Sequence, residues 1–211
     1  MLFRRYLEML LGSKVKVKVL RTLWKHKEKE FTIRELGSFL KISHMGIRKV
    51  LADLERANAV KIMAVGRSHT IKLNKEGYAA AIVEKIFKLE EETLGELLKM
   101  LKKRLCILEV KSAALFGSVA RGEESPLSDI DVFILTNERE KTERAVLQLQ
   151  REVALKFGNA LAPYYLSEDE FVKKKDTPAV RQILRSHVLI CGKPLDSDRK
   201  LARNAIFLAE E

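Results

Sequence analysis

Apolar residues recur at helical spacing in the first quarter of the chain. From Ser13 to His26, Val15, Val19, Leu20, Leu23 and Trp24 fall on one face, which predicts an amphipathic helix. Thr32 followed three residues later by Glu35 predicts a capping box, opening a second helix that carries Leu36, Phe39 and Leu40. Lys41-Ile42 makes a turn. Ser43 then caps a third helix that ends near Asn58, a residue tolerant of the left-handed cap conformation. Within it Ile47, Val50, Leu51 and Leu54 keep the i, i+3, i+4, i+7 pattern of a buried face, and Met45, Arg48, Lys49 and Ala52 fall opposite. Val60–Val65 and His69–Leu73 alternate with period two and read as a hairpin joined by Gly66-Arg67-Ser68.

Asn74 to Arg104 contains no proline and keeps helical spacing from Tyr78 and Ile82 through Leu97, Leu98 and Leu101, predicting one or two connecting helices. The pattern then changes. Ala113–Phe116 reads as a buried strand and Ile130–Leu135 as a second, followed by an amphipathic helix over Glu138–Phe157. Ala160–Leu166 is a third strand, Ser167 to Glu170 opens a short helix, Pro178 starts another through Leu184, and His187–Cys191 is a last strand. The fold class is α+β, divided as residues 1–74, a helical linker 75–104, a mixed-sheet domain 105–195 and a tail 196–211.

Charge sharpens this division. Residues 1–104 carry 24 Lys and Arg against 12 Asp and Glu, whereas residues 105–211 carry 16 against 17. The basic excess of the 211-residue chain, +11 overall, therefore belongs to the first half, which points there for a polyanionic partner. Cys106 and Cys191 show neither zinc spacing nor a disulfide framework, so a reducing, cytoplasmic compartment is the expectation. The apolar start (Leu2, Phe3, Leu7, Met9) is interrupted by Arg4, Arg5 and Glu8 and reads as neither signal peptide nor membrane span. His26, His44, His69 and His187 share no metal-ligand spacing.

The most specific motif lies in the second half. Gly117-Ser118 ends the first strand, and after ten residues Asp129-Ile130-Asp131 opens the second. Side chains two apart on a strand share a face, so the two carboxylates stand one pleat apart and repel unless a cation lies between them. Hard oxygen ligands suit Mg²⁺ (or Mn²⁺), which takes its remaining ligands from water and substrate phosphates. Gly117 allows close backbone approach, and the helix that follows offers N–H groups to a phosphate. This stretch resembles the minimal nucleotidyltransferases of the polymerase-β-like superfamily, and the inner Gly-Ser-Val-Ala-Arg-Gly also matches. The resemblance implies Asp129 and Asp131 as catalytic metal ligands, Gly117, Ser118 and Arg121 as nucleotide-binding residues, and a nucleoside triphosphate as substrate or ligand.

Three helices followed by a hairpin resemble the winged helix-turn-helix domains of microbial transcription regulators. That resemblance implies a double-stranded DNA partner met by Ser43, His44, Met45, Arg48 and Lys49, with Arg67 and Ser68 in the wing. Arg48 suits a guanine edge, Lys49 and Arg67 phosphates. Helical DNA readers commonly bind as dimers, so a homodimer is expected; a module for protein contacts is the competing reading.

One departure separates the sequence from active relatives. The superfamily carries a third carboxylate on the strand beside the Asp-x-Asp pair, and here that strand, Leu161 to Leu166, holds no acid. Glu168, Asp169 and Glu170 follow directly, although Ser167 with Glu170 forms a capping box and acids favour the first turn of a helix anyway. Two functions stay open. One is a Mg²⁺-dependent enzyme transferring a nucleotidyl group to a hydroxyl, with a tyrosine of a protein acceptor as the example set by related antitoxins. The other is a catalytically impaired transcription regulator that uses this fold to sense nucleotide or to dimerise.

Overall fold

The computed structural model describes residues 7–66 and 68–195. Helix α1 (Leu7–Leu11) leads to α2 (Lys14–Lys25), where the Ser13 hydroxyl accepts from the Lys16 N–H at 3.2 Å. Val19, Leu20 and Leu23 are fully buried, as their spacing predicts. A two-residue strand β1 (Phe31–Thr32), too short to show alternation, precedes α3 (Ile33–Leu40). The capping box is present: Thr32 Oγ1 accepts from the Glu35 N–H at 3.1 Å, and the Glu35 carboxylate accepts from the Thr32 N–H at 2.7 Å. These bonds hold the Glu35 carboxyl below its ordinary range.

Ser43 caps α4 (His44–Arg56), accepting from the Gly46 N–H at 3.1 Å. The chain leaves α4 through Asn58 in the left-handed region, at φ 58°. Strands β2 (Val60–Val65) and β3 (Ser68–Leu73) form the hairpin, and β1 pairs with the other edge of β3, so the sheet order is β1-β3-β2, all antiparallel. Leu36, Ile47, Leu54 and Ile71 close the core, each fully buried. One charged side chain shares it: Lys16 is buried and reaches Asp53 of α4 at 2.8 Å.

Helix α5 (Tyr78–Leu105) is one unbroken element of 28 residues. The chain divides into two compact units between Glu92 and Thr93. Ala79, Ala80, Val83 and Phe87 belong to the core of the first, and Leu97, Leu101 and Leu105 to that of the second.

After a 3₁₀ turn over Cys106–Leu108, the second unit runs β4 (Ser112–Phe116), α6 (Gly117–Arg121), β5 (Ile130–Leu135), α7 (Arg139–Phe157), β6 (Leu161–Leu166), α8 (Glu168–Lys174), α9 (Pro178–Arg185) and β7 (Val188–Gly192). The sheet order is β6-β5-β4-β7, with β5 and β6 parallel and the other pairs antiparallel. Ala113, Leu115, Val132 and Ile134 face α5 and α7 through Leu101, Val146, Leu149 and Val153. Ala114, Phe133 and Leu135 face the other way, against Phe171 of α8 and Val180 and Ile183 of α9. Both cysteines are free. Burial, reinforced by the neighbouring Cys106, pushes the Cys191 thiol up to about 12, a proximity that their distance in sequence conceals. Among the described residues no helix is long and apolar enough to cross a membrane. Leu2, Phe3, Arg67 and the tail 196–211 lie outside the described residues.

Candidate functional sites

In the second unit the site is built where β4 turns into α6 beside the start of β5. Phe116, the last residue of β4, lies directly opposite Asp131 in the antiparallel register. The next residue, Gly117, has φ +73°, and a methyl group there would come within 2.8 Å of Asp131 Cγ and closer still to Oδ2. Glycine at 117 is thus required twice, by the backbone angle and by the carboxylate against it. Asp131 shares its sheet face with Phe133 and Leu135, the face covered by α8 and α9. Asp129 stands just ahead of the strand and is exposed, whereas Asp131 is half-buried. Burial pushes the Asp131 carboxyl above its ordinary value, the charge of Asp129 pushes the same way, and the Arg121 guanidinium opposes both.

The structure thus brings Gly117, Asp129, Asp131 and Arg121 to one locality. Ser118, half-buried, opens α6, which is a single five-residue turn. Arg121 ends that turn and pairs with Glu123 at 2.7 Å. The loop into β5 is pinned by Asn159, which directly follows the left-handed Gly158 at the end of α7. Asn159 donates to the carbonyls of Ser128 at 2.9 Å and Pro126 at 3.3 Å, and Ser128 Oγ accepts from the Ser125 N–H at 2.9 Å. These bonds fix the backbone immediately before Asp129.

The register of β5 and β6 bears on the question of a third carboxylate. In the parallel β5–β6 pair, Asp131 is matched with Ala162 and Phe133 with Tyr164. Ala162 therefore occupies the strand position beside Asp131. Glu168, Asp169 and Glu170 follow β6 beyond Leu166, which is matched with Leu135 at the far end of β5. Four residues of strand place that end about 13 Å from Asp131. Glu170 is engaged in its capping box with Ser167, and Glu168 accepts from Asn137 Nδ2 at 2.9 Å. Two of the three are thus engaged at the start of α8. Among the described residues no group of three or more His, Cys, Asp or Glu side chains is arranged to hold a metal. The pair itself suits a cation: two hard-oxygen ligands, one raised in pKa by burial and by the other's charge, with Arg121 opposing the shift.

In the first unit Ser43, His44, Met45, Arg48 and Lys49 are all exposed, on the face of α4 opposite buried Ile47, Val50 and Leu54. Ser43 also spends its hydroxyl on the α4 N-cap. Lys16, Arg21, Lys25, Lys27, Lys61 and Lys72 are tied to carboxylates, whereas Arg48 and Lys49 form no ion pair among the described residues. Ser68 begins β3 in the wing. His69 sits on the same strand, and His26 packs edge-on against Phe31 and Phe39, roles that call for no chemistry.

The three helices with their β-hairpin define a winged helix-turn-helix fold, and the mixed sheet with its Gly-Ser and Asp-x-Asp elements defines the second unit as a nucleotidyltransferase domain. Residues 98–190 match the family model described as the nucleotidyltransferase domain. A candidate protein adenylyltransferase of Methanocaldococcus jannaschii is 49% identical over 47 residues, 20% of this chain and 47% of that protein. The chain thus spans about half the length of that relative. Similar solved structures include the homodimeric winged helix-turn-helix DNA-binding domain of a Mycobacterium bovis protein, at 13% identity and TM-score 0.37, covering 42% of this chain and 79% of that one. Another is the Staphylococcus aureus regulator MepR in complex with DNA, at 20% identity and TM-score 0.36, covering 49% and 86%.

Proposed function

We propose that this chain binds double-stranded DNA through its winged helix. Its second domain binds a nucleoside triphosphate with one Mg²⁺ or Mn²⁺ and transfers the nucleotidyl group slowly to a hydroxyl acceptor. The observation that carries this reading is the close approach of Gly117 to Asp131 beside Asp129, with Ala162 where a third acid would stand. Asp129 and Asp131 would hold the cation, which when bound neutralises phosphate charge and makes the α-phosphorus more electrophilic. Gly117 lets the backbone lie against the carboxylate, and Ser118 and Arg121 would contact phosphate oxygens. In the transfer the acceptor oxygen bonds to the α-phosphorus, the bond to the β-phosphate oxygen breaks, and pyrophosphate leaves. The acceptor proton would pass to solvent, since Ala162 rather than an acid is matched with Asp131.

Loss of a positioned general base costs about 10²–10⁴ in rate. That arithmetic favours a second reading at the same site, in which occupancy by nucleotide rather than turnover is the signal passed to a DNA-bound, homodimeric regulator. Incubation of the full chain with α-³²P-labelled nucleoside triphosphates and Mg²⁺, alone and with cell extract, separates them. Label on a macromolecular acceptor, lost in Asp131→Asn, supports transfer; bound nucleotide with no labelled product selects the sensor.

On the DNA side, exposed Arg48 and Lys49 without carboxylate partners support phosphate and base contact by α4. The wing residue Ser68, together with Arg67, would meet the flanking backbone. Affinity falling steeply with salt is the expected signature; no binding to duplex DNA at low salt would leave the winged helix as a protein-contact module.

A further inference from the structure

A cavity of about 550 Å³ in the nucleotidyltransferase domain is lined by Arg121, Arg181 and Arg185, with Asp176, Pro178, Gln182 and Ser186. Arg181 and Arg185 are four residues apart on α9 and so share one face, one turn apart. The buried residues of the same helix, Val180 and Ile183, lie against Ala114 and Phe133, which fixes α9 on the sheet face that carries Asp131. Arg121 joins cavity and aspartates: it ends the single turn that starts at Gly117, the residue packed against Asp131.

Charge in the cavity is out of balance. Arg181 pairs with Asp176 at 3.0 Å and Arg121 with Glu123, both in exposed settings where such pairs are weak. Arg185 has no ion-pair partner among the described residues. Three arginines and one acidic residue around one open space suit an anion that presents several oxygens at once.

We propose that this cavity receives the β- and γ-phosphates of the nucleoside triphosphate, with Arg181 and Arg185 of α9 acting as a clamp on the departing pyrophosphate. The proposal rests on nucleotide binding at Asp129 and Asp131 and adds to it two positioning residues that no motif marks. The guanidinium groups would add positive charge to that of the single cation.

The test is isothermal calorimetry on the full chain with ATP, GTP, adenosine and inorganic tripolyphosphate, all with Mg²⁺, for wild type, Arg185→Gln, Arg181→Gln and the α7 control Arg144→Gln. Both arginines are exposed, so the folded state is expected to persist, as a thermal melt of each variant checks. Each α9 variant should weaken triphosphate binding by about tenfold or more, as expected for loss of a charged hydrogen bond. Arg144→Gln should leave it unchanged, and tripolyphosphate should displace ATP. Wild-type ATP affinity in both α9 variants overturns the clamp while leaving the aspartate site standing. Tripolyphosphate binding beside ATP without displacing it also overturns the clamp, making the cavity a seat for an acceptor phosphate. Tripolyphosphate binding that needs Arg185, with no nucleotide binding at all, keeps an anion site and refutes the nucleotide reading beneath it.

Discussion

Gly117→Ala separates what the site needs from what the fold needs. The backbone angle of +73° costs an alanine about 1–2 kcal/mol relative to glycine. The new methyl group would also stand 3.1 Å from Asp131 Cβ and 2.8 Å from Cγ, with the carboxylate oxygen nearer. The oxygens can swing aside by rotation about χ1, so the clash adds little to stability but removes the carboxylate from its place. Each kcal/mol lowers the melting temperature of a domain of roughly 100 residues by about 4–8 °C. A modest fall in melting temperature is therefore expected with near-complete loss of Mg²⁺-dependent ATP binding by calorimetry. A variant that melts lower yet binds ATP as wild type does would refute the assignment of Asp131 to the site.

Asp131→Asn should abolish nucleotide binding while raising stability at neutral pH. Burial and Asp129 raise the folded-state pKa of Asp131, so its ionised form is a cost above that pKa and none below the ordinary value of 3.8. Urea midpoints of variant and wild type should converge as pH falls from 7 towards 4, and a gap that widens contradicts the sign. Ala162→Asp places a carboxylate beside Asp131 and should increase label transfer from an α-³²P nucleoside triphosphate, whereas Tyr164→Asp, matched with Phe133, should not. Equal gains in both, or none in either, would count against the register argument. Arg48→Ala should weaken a specific DNA site by about 1–3 kcal/mol, measured by fluorescence anisotropy at fixed salt; an equal loss on all sequences would make Arg48 a phosphate contact instead.

Local chemistry and the β2–β3 hairpin were legible in the chain, and long-range pairing was not. The capping boxes at Thr32 and Ser167 depend on residues three apart, and both formed as read. The buried face of α4 and the left-handed exit at Asn58 followed from spacing and residue type in the same way. The Gly-Ser and Asp-x-Asp elements could be joined in advance because their ten-residue spacing resembles that of the nucleotidyltransferases. What required the fold was non-local. Strand β1, two residues long, exists only because β3 offers it an edge. The match of Asp131 with Ala162, about thirty residues apart, comes from a parallel pairing that periodicity cannot encode, and it puts Glu168, Asp169 and Glu170 beyond the far end of β5. The part played by Asn159 shows only once its amide is seen holding the carbonyls before Asp129. Arg181 and Arg185 look like ordinary charges on a short amphipathic helix until α9 is laid on the face that holds the aspartates.

Metal-dependent nucleotide binding is the most direct trial of the central claim. ATP and GTP titrated calorimetrically into the full chain, with Mg²⁺ and again with EDTA, should show saturable binding that needs the cation and disappears in Asp129→Asn and in Asp131→Asn. Binding of equal strength in EDTA, or in either variant, would contradict the assignment of the aspartate pair as the seat of the metal-bound nucleotide.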